Sequence, residues 1–274
     1  MFRDTLALCG DLQKPISRDG IEVLEDLSYG PDERHLLDVH LPPDTGDGPR
    51  PVVIFFHGGG FTGGNKVIKG GLFYGNVVTY FARHGIIGIN ATHRFAPEFQ
   101  YPAAALDVGT AVAWAHANIA GHGGDPRRIF VFGHSSGATH AAAYALRADL
   151  HPEGGHGLAG AILMSGMYGP NIEADSWRQV AYYGEDQSLY DGMSALGQVG
   201  PDPLPVFVAF SELDDFLFQK AGMDLIAEVA ERDQACPWFK VLRGHNHMSG
   251  ILSMDTGDQA IGPDLIAFIK TGIT

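Results

Sequence analysis

Between Ile129 and Ala145 the chain passes from four large apolar residues into a tight serine turn and out again into small residues. Ile129-Phe130-Val131-Phe132 contains no polar member, the pattern of a strand covered on both faces. Gly133-His134-Ser135-Ser136-Gly137 follows at once, and Ala138 to Ala145 are mostly small and compatible with a helix. A turn that reverses a buried strand into a buried helix leaves no room for large side chains two positions either side of its centre. Gly133 and Gly137 meet that need. This strand–turn–helix context is the one a nucleophile elbow requires. It predicts Ser135 at the tip, in a strained conformation with its hydroxyl exposed. The backbone N–H of Ser136 is then offered where negative charge develops on an attacked carbonyl.

The rest of the chain alternates between short apolar runs and helical stretches. Strands are predicted at 21–27, 36–41, 52–56, 86–90, 129–132, 159–166, 204–210 and 238–242, and helices at 72–84, 102–119, 138–145, 216–232 and 259–269. Alternation of this kind implies an α/β fold, a mostly parallel sheet with helices on both faces. At 274 residues, one domain spanning 1–274 is the expectation. Residues 170–202 break the alternation and carry Trp177, Tyr182, Tyr183 and Tyr190; they read as a small cap insertion or an ordinary surface excursion. Residues 1–20 read as an N-terminal arm, and Pro42 to Pro49 as a surface loop.

Charge and composition exclude several classes of partner. The chain carries 18 Lys and Arg against 32 Asp and Glu, a net charge of −14, with no basic cluster. It repels phosphate backbones and anionic membrane surfaces, so neither nucleic acid nor a membrane is an expected partner. No apolar run approaches the length of a membrane span, and the N-terminus does not resemble a secretory signal. Cys9 and Cys236 are too few for a disulfide framework. A cytoplasmic location is expected. A homodimer is compatible with the sequence, which specifies no assembly.

Polar residues at the ends of predicted strands complete a constellation. Val52 to Phe56 run into His57-Gly58-Gly59-Gly60-Phe61. Three glycines directly after a buried strand let bare N–H groups approach a substrate oxygen. A phosphate-cradling loop would need a Gly-Lys-Ser/Thr arrangement, which Lys66 does not provide. His57 is expected to brace this loop. Leu204 to Phe210 lead into Ser211-Glu212-Leu213-Asp214-Asp215, and Trp238 to Leu242 into His245-Asn246-His247. A serine hydroxyl needs an imidazole to take its proton, and the imidazole needs a carboxylate to fix its tautomer. The order Ser…Asp…His is that of an α/β-hydrolase triad. Asp214 is preferred over Asp215 because it follows the strand more directly, and Glu212 is the third candidate. His247 is preferred over His245. A metal at His245-x-His247 would need further ligands, and Asp255 is not a compelling one. No metal or organic cofactor is expected.

Taken together, His57 to Phe61, Asn90 with His93-Arg94-Phe95-Ala96-Pro97-Glu98, Gly133 to Gly137, Ser211 to Asp214, and His245 to His247 resemble α/β-hydrolase esterases. The groups resembled are the hormone-sensitive-lipase-like and the feruloyl-esterase and arylformamidase-like ones. The resemblance covers the chain from about residue 33. It implies an eight-stranded sheet and hydrolysis of a small carboxylic ester. It further implies that Gly59, Gly60 and Ser136 form the oxyanion hole, with Asp214 as acid and His247 as base. Phe61, His134 and Phe216 are the candidate substrate contacts; the aromatic residues of 170–202, with Phe216, Phe218 and Met248, suggest an apolar pocket or simply pack the lid. His93 and Phe95 stand where such esterases commonly show tyrosine and leucine. The short cap favours small esters over bulky lipids. The same machinery also suits an amidase or arylformamidase, and a catalytically silent ligand receptor is a third reading.

Overall fold

The fold is organised on an eight-stranded sheet whose spatial order is β1-β2-β4-β3-β5-β6-β7-β8. It is seen in a computed structural model that describes residues 2–14, 17–43, 48–68, 73–171 and 176–271. Parts of the expected arm, of the 42–49 loop, of the 72–84 helix and of the 170–202 insertion lie outside those residues.

In chain order the elements are α1 (Phe2–Gln13), β1 (Glu22–Ser28), β2 (Leu36–Leu41), β3 (Arg50–Phe56), α2 (Gly75–Arg83), β4 (Ile87–Ala91) and α3 (Ala103–Asn118). They continue through β5 (Gly124–His134), α4 (Ser136–Leu146), β6 (Gly160–Met164), α5 (Trp177–Tyr183), β7 (Val206–Leu213), α6 (Phe216–Asp233), β8 (Trp238–Asn246), α7 (Ser249–Leu252) and α8 (Gly262–Thr271). β2 runs antiparallel to both β1 and β4, and the remaining pairings are parallel. The chain is therefore an α/β protein with a mostly parallel sheet, as its alternation implies.

Two cores form because strand side chains alternate between faces. Val52, Ile54 and Phe56 of β3, with Ile129 and Val131 of β5, join residues of α3, α4 and α6 on one face. Val53 and Phe55, with Phe130 and Phe132, join residues of α2, α7 and α8 on the other. Uninterrupted apolar runs are what a sheet covered on both sides demands. α4 lies entirely buried, and its alanines let it sit close to the strands. Each large core side chain removed from water in this way stabilises the fold by about 1.5–3 kcal/mol.

Several boundaries differ from the sequence-based expectation. The helix expected at 72–84 begins at Gly75, because Phe73 pairs with Ile68 in an isolated bridge. β7 and β8 extend to Leu213 and Asn246, since Leu213 pairs with Asn246 beyond a register shift. Gly244, with φ of 73°, supplies the backbone freedom inside that extension. The expected last helix starts at Gly262 rather than near Gln259 and is preceded by the single turn α7.

α1 packs against α7, and the Gln13 amide donates to the carbonyl of Met254 at 2.5 Å. Among the described residues, no helix is long and apolar enough to cross a membrane.

Candidate active site

The β5–α4 turn places Ser135 at the C-terminal edge of the sheet, with φ of 56° and ψ of −125°. A non-glycine residue in this region is strained and persists only where its surroundings impose it. Here they do. The Ser135 N–H donates to the carbonyl of Met164 at 2.9 Å, which ties the turn to the end of β6. A Cβ at Gly133 would lie 2.3 Å from the Gly137 carbonyl oxygen, and one at Gly137 would lie 2.2 Å from that of Phe56. Both glycines are thus required by close backbone approach, as the spacing around the serine predicts.

The imidazole of His247 bridges Ser135 and Asp214. Its Nε2 lies 2.9 Å from Ser135 Oγ, and its Nδ1 lies 2.8 Å from Asp214 Oδ1. A carboxylate only accepts, so Nδ1 carries the proton and the lone pair of Nε2 faces the serine hydroxyl. Asp214 Oδ2 accepts from the Ser165 hydroxyl at 2.7 Å and the Ser211 N–H at 2.8 Å. Burial raises the pKa of Asp214, but these hydrogen bonds and the charge of His247 hold its carboxyl below the usual aspartate value.

The competing candidates are engaged elsewhere. Asp215 caps α6 by accepting the Leu217 N–H at 3.0 Å. Glu212 accepts from Arg243 and from the Gly244 N–H at the surface. His245 lies 3.1 Å from Ser249 Oγ and 3.3 Å from Asp258 Oδ2. Among the described residues no group of histidine, cysteine and acidic side chains is arranged to hold a metal ion.

The glycine loop after β3 stands directly against the serine. A Cβ at Gly58 would come within 2.9 Å of Ser135 Cβ, and one at Gly59 would come within 1.7 Å of the Gly63 carbonyl oxygen. Among the described residues, no hydrogen bond takes up the N–H groups of Gly59, Gly60 or Ser136. His57 is fully buried and bonds the Gly58 carbonyl through Nδ1 at 2.9 Å. Its ring stacks on His93 at 4.6 Å. Burial and the neighbouring His93 push the pKa of His57 well down, so it braces the loop as a neutral ring. Arg94 anchors the adjoining segment through its ion pair with buried Asp107 of α3.

The three expected substrate contacts are distributed differently. Phe61 lines a cavity of about 200 Å³ that also reaches Ser135, Ser136, Thr139 and Phe218. Its ring stacks on Tyr182 with centroids 4.6 Å apart. Phe216 is 65% exposed and does not line this cavity; Phe218, two residues further along α6, does. That is a matter of phase on α6, which apolar composition alone does not fix. His134 does not line it either, because it is buried behind the site. Its Nε2 lies 2.8 Å from the His247 carbonyl. Burial and the nearby His247 lower its pKa to about 3, so it is neutral and steadies the histidine loop.

Asn246, Ser165 and Ser211 are site residues that sequence reasoning missed. The Asn246 side chain accepts the N–H groups of Met248 and Ser249, both at 3.0 Å, and donates to Thr5 of α1. It thereby shapes the turn that delivers His247. Ser165 offered one usable signal, a hydroxyl immediately after the strand neighbouring the elbow strand.

A serine elbow on such a sheet defines the class of α/β hydrolases. The chain belongs to the family described as alpha/beta hydrolase fold, whose sequence profile matches residues 53–232. It is 32% identical to the esterase LipQ of Mycobacterium tuberculosis over 209 residues, 69% of this chain and 48% of LipQ. It is 39% identical to the esterase LipC of the same organism over 121 residues, 44% of this chain and 29% of LipC. The matched region thus spans less than half the length of these relatives. A solved bacterial heroin esterase shares the fold at a TM-score of 0.76 and 23% identity, over 99% of this chain and 90% of its own.

Proposed function

We propose that this protein is a serine carboxylesterase that hydrolyses small esters with short or aromatic acyl groups through an acyl-enzyme. The observation that carries the reading is the continuous run of contacts from Asp214 through His247 to Ser135, at 2.8 and 2.9 Å. Its mycobacterial relatives are named esterases, which favours esters over amides.

The mechanism follows from the tautomer. His247 Nε2 takes the Ser135 proton as Oγ attacks the ester carbonyl, and Asp214 stabilises the imidazolium. The N–H groups of Gly59, Gly60 and Ser136 receive the oxyanion. His247 then protonates the departing alcohol, and water repeats the sequence to release the acid and restore the serine. The segment 170–202 acts as a small cap whose Tyr182, stacked on Phe61, steadies the loop that follows the glycines. A cavity of about 200 Å³ suits a short acyl chain, below the usual range for drug-sized ligands. Cys9 is buried and Cys236 exposed, so the two do not bond each other. That arrangement fits a cytoplasmic enzyme.

The test is a chain-length series of p-nitrophenyl esters with Ser135→Ala beside the wild type. Turnover is expected to peak at short acyl chains and to fall about 10⁴-fold or more in the variant. Turnover by Ser135→Ala equal to the wild type would remove the serine from the chemistry.

A further inference from the structure

The cavity beside Ser135 contains a charge that the hydrolytic mechanism does not use. Among the described residues that line it, Arg178 is the only one carrying a formal charge at neutral pH. This cation sits on α5, in the excursion between β6 and β7. Its aliphatic stem lies against the glycine loop: a Cβ built on Gly60 would fall 2.7 Å from Arg178 Cδ and 3.1 Å from Nε. Among the described residues it has no carboxylate partner, although most of the chain's other cations are paired. In a chain of net charge −14, a cation with no acid beside it among the described residues is a local feature and not a consequence of composition.

The guanidinium is oriented as well as placed. Its central carbon lies 5.0 Å from the centroid of the Trp177 ring. Stacking of this kind uses the face of the group and leaves the N–H donors along its edge available to an oxyanion. Gln179 lines the same cavity, and its Oε1 accepts the Asn171 N–H at 2.7 Å. The atom left to meet a ligand there is therefore the donor nitrogen. Two donors, one of them charged, belong to a cavity that has no acidic side chain among its described lining residues.

The position relative to the reacting atoms assigns the side of the ester. A departing alcohol must lie next to His247 Nε2 to receive its proton. His247 does not line this cavity; Phe218, whose ring is 4.6 Å from the imidazole, forms the wall on that side. The cavity opens instead at Gly60 and Ser136, the oxyanion side, where the acyl chain extends.

We infer that Arg178 makes this cavity an anion subsite, so that the preferred substrates are monoesters of short dicarboxylic acids with the free carboxylate on the acyl part. The inference rests on the esterase reading above and deepens it. Hydrolysis breaks the acyl carbon–oxygen bond, passes through a Ser135 ester whose distal carboxylate pairs with Arg178, and releases a dicarboxylate, the alcohol and one proton.

The experiment compares monoethyl glutarate with its neutral isostere ethyl 5-methylhexanoate, followed by proton release at neutral pH. The readout is the ratio of their kcat/KM values in the wild type, Arg178→Gln and Arg178→Lys. The wild type is expected to favour the glutarate ester. Arg178→Gln is expected to lower the ratio about tenfold, as loss of one charge-assisted contact implies. Arg178→Lys should restore part of it, because lysine keeps the charge but not the planar fork. Added salt should depress the glutarate rate selectively. An equal ratio in the wild type and Arg178→Gln would overturn the subsite. A larger Arg178 effect on acetoxyacetate, whose anion lies on the alcohol part, would overturn its acyl-side placement. Failure of the wild type to cleave any of these esters or p-nitrophenyl acetate would instead overturn the esterase reading beneath it.

Discussion

Ser165 donates its hydroxyl to Asp214 Oδ2 at 2.7 Å, while Oδ1 of the same carboxylate faces His247 Nδ1. The orientation of the carboxylate, and through it the imidazole tautomer, is thus held from the strand beside the elbow. Ser165→Ala is expected to lower kcat roughly tenfold with KM little changed, in line with loss of one hydrogen bond to a charged group. Ser211 N–H still holds Oδ2, so the protein stays folded. Steady-state kinetics beside a thermal melt check this, and an unchanged kcat would show that Ser165 only packs.

The two adjacent aspartates have different partners, Asp214 facing His247 and Asp215 the Leu217 N–H. Asp214→Asn should reduce kcat by about 10³–10⁴-fold, because an amide nitrogen facing His247 favours the wrong tautomer. Asp215→Asn keeps a capping residue at the start of α6 and should leave kcat within a few-fold of wild type. Equal losses in the two variants would contradict the assignment of Asp214.

Glycines in one loop should differ sharply in tolerance. A Cβ at Gly59 meets the Gly63 carbonyl oxygen at 1.7 Å, whereas one at Gly63 meets nothing within 4 Å. Gly59→Ala must distort the proposed oxyanion cradle, and a loss of 10²–10³-fold or so in kcat is expected. Gly63→Ala should retain near-native turnover. Kinetics on the two proteins at matched folded fraction decide the matter.

Acid should destabilise the fold before its carboxylates titrate. Burial holds His40 at about 4 and His134 at about 3, and pushes His57 and His140 well down. These rings are neutral in the folded protein, while the unfolded chain takes up protons below about pH 6.5. The unfolded state therefore binds more protons, and stability falls as pH drops from about 6.5 toward 4. The slope reaches up to about 1.4 kcal/mol per pH unit for each such ring. Melting temperature measured across that window should decline steadily; a flat profile would contradict the burial of neutral histidines.

Much of this was legible in the sequence, for a physical reason. The apolar run before Ser135 and the glycines around it leave few alternatives to a strand, a sharp turn and a helix. The same steric logic marked Gly58 to Gly60. Phase and tertiary partners were not legible. Whether Phe216 or Phe218 turns toward the serine depends on where α6 begins, which Asp215 sets by capping it. The choice of His247 over His245 depends on a turn shaped by Asn246 and anchored to α1, more than two hundred residues away in the chain. His134 looked like a pocket residue because it adjoins Ser135, yet strand alternation points it to the opposite side of the sheet edge. Arg178 carried no motif at all, and only its place over Gly60 singles it out.

The most direct measurement is mass spectrometry of the protein after exposure to a fluorophosphonate, in the wild type and in His247→Ala. The account predicts a single phosphonyl adduct on the peptide bearing Ser135, formed rapidly in the wild type and slowed by orders of magnitude without the imidazole. An adduct at another residue, or labelling of Ser135 at equal rates in both proteins, would contradict it.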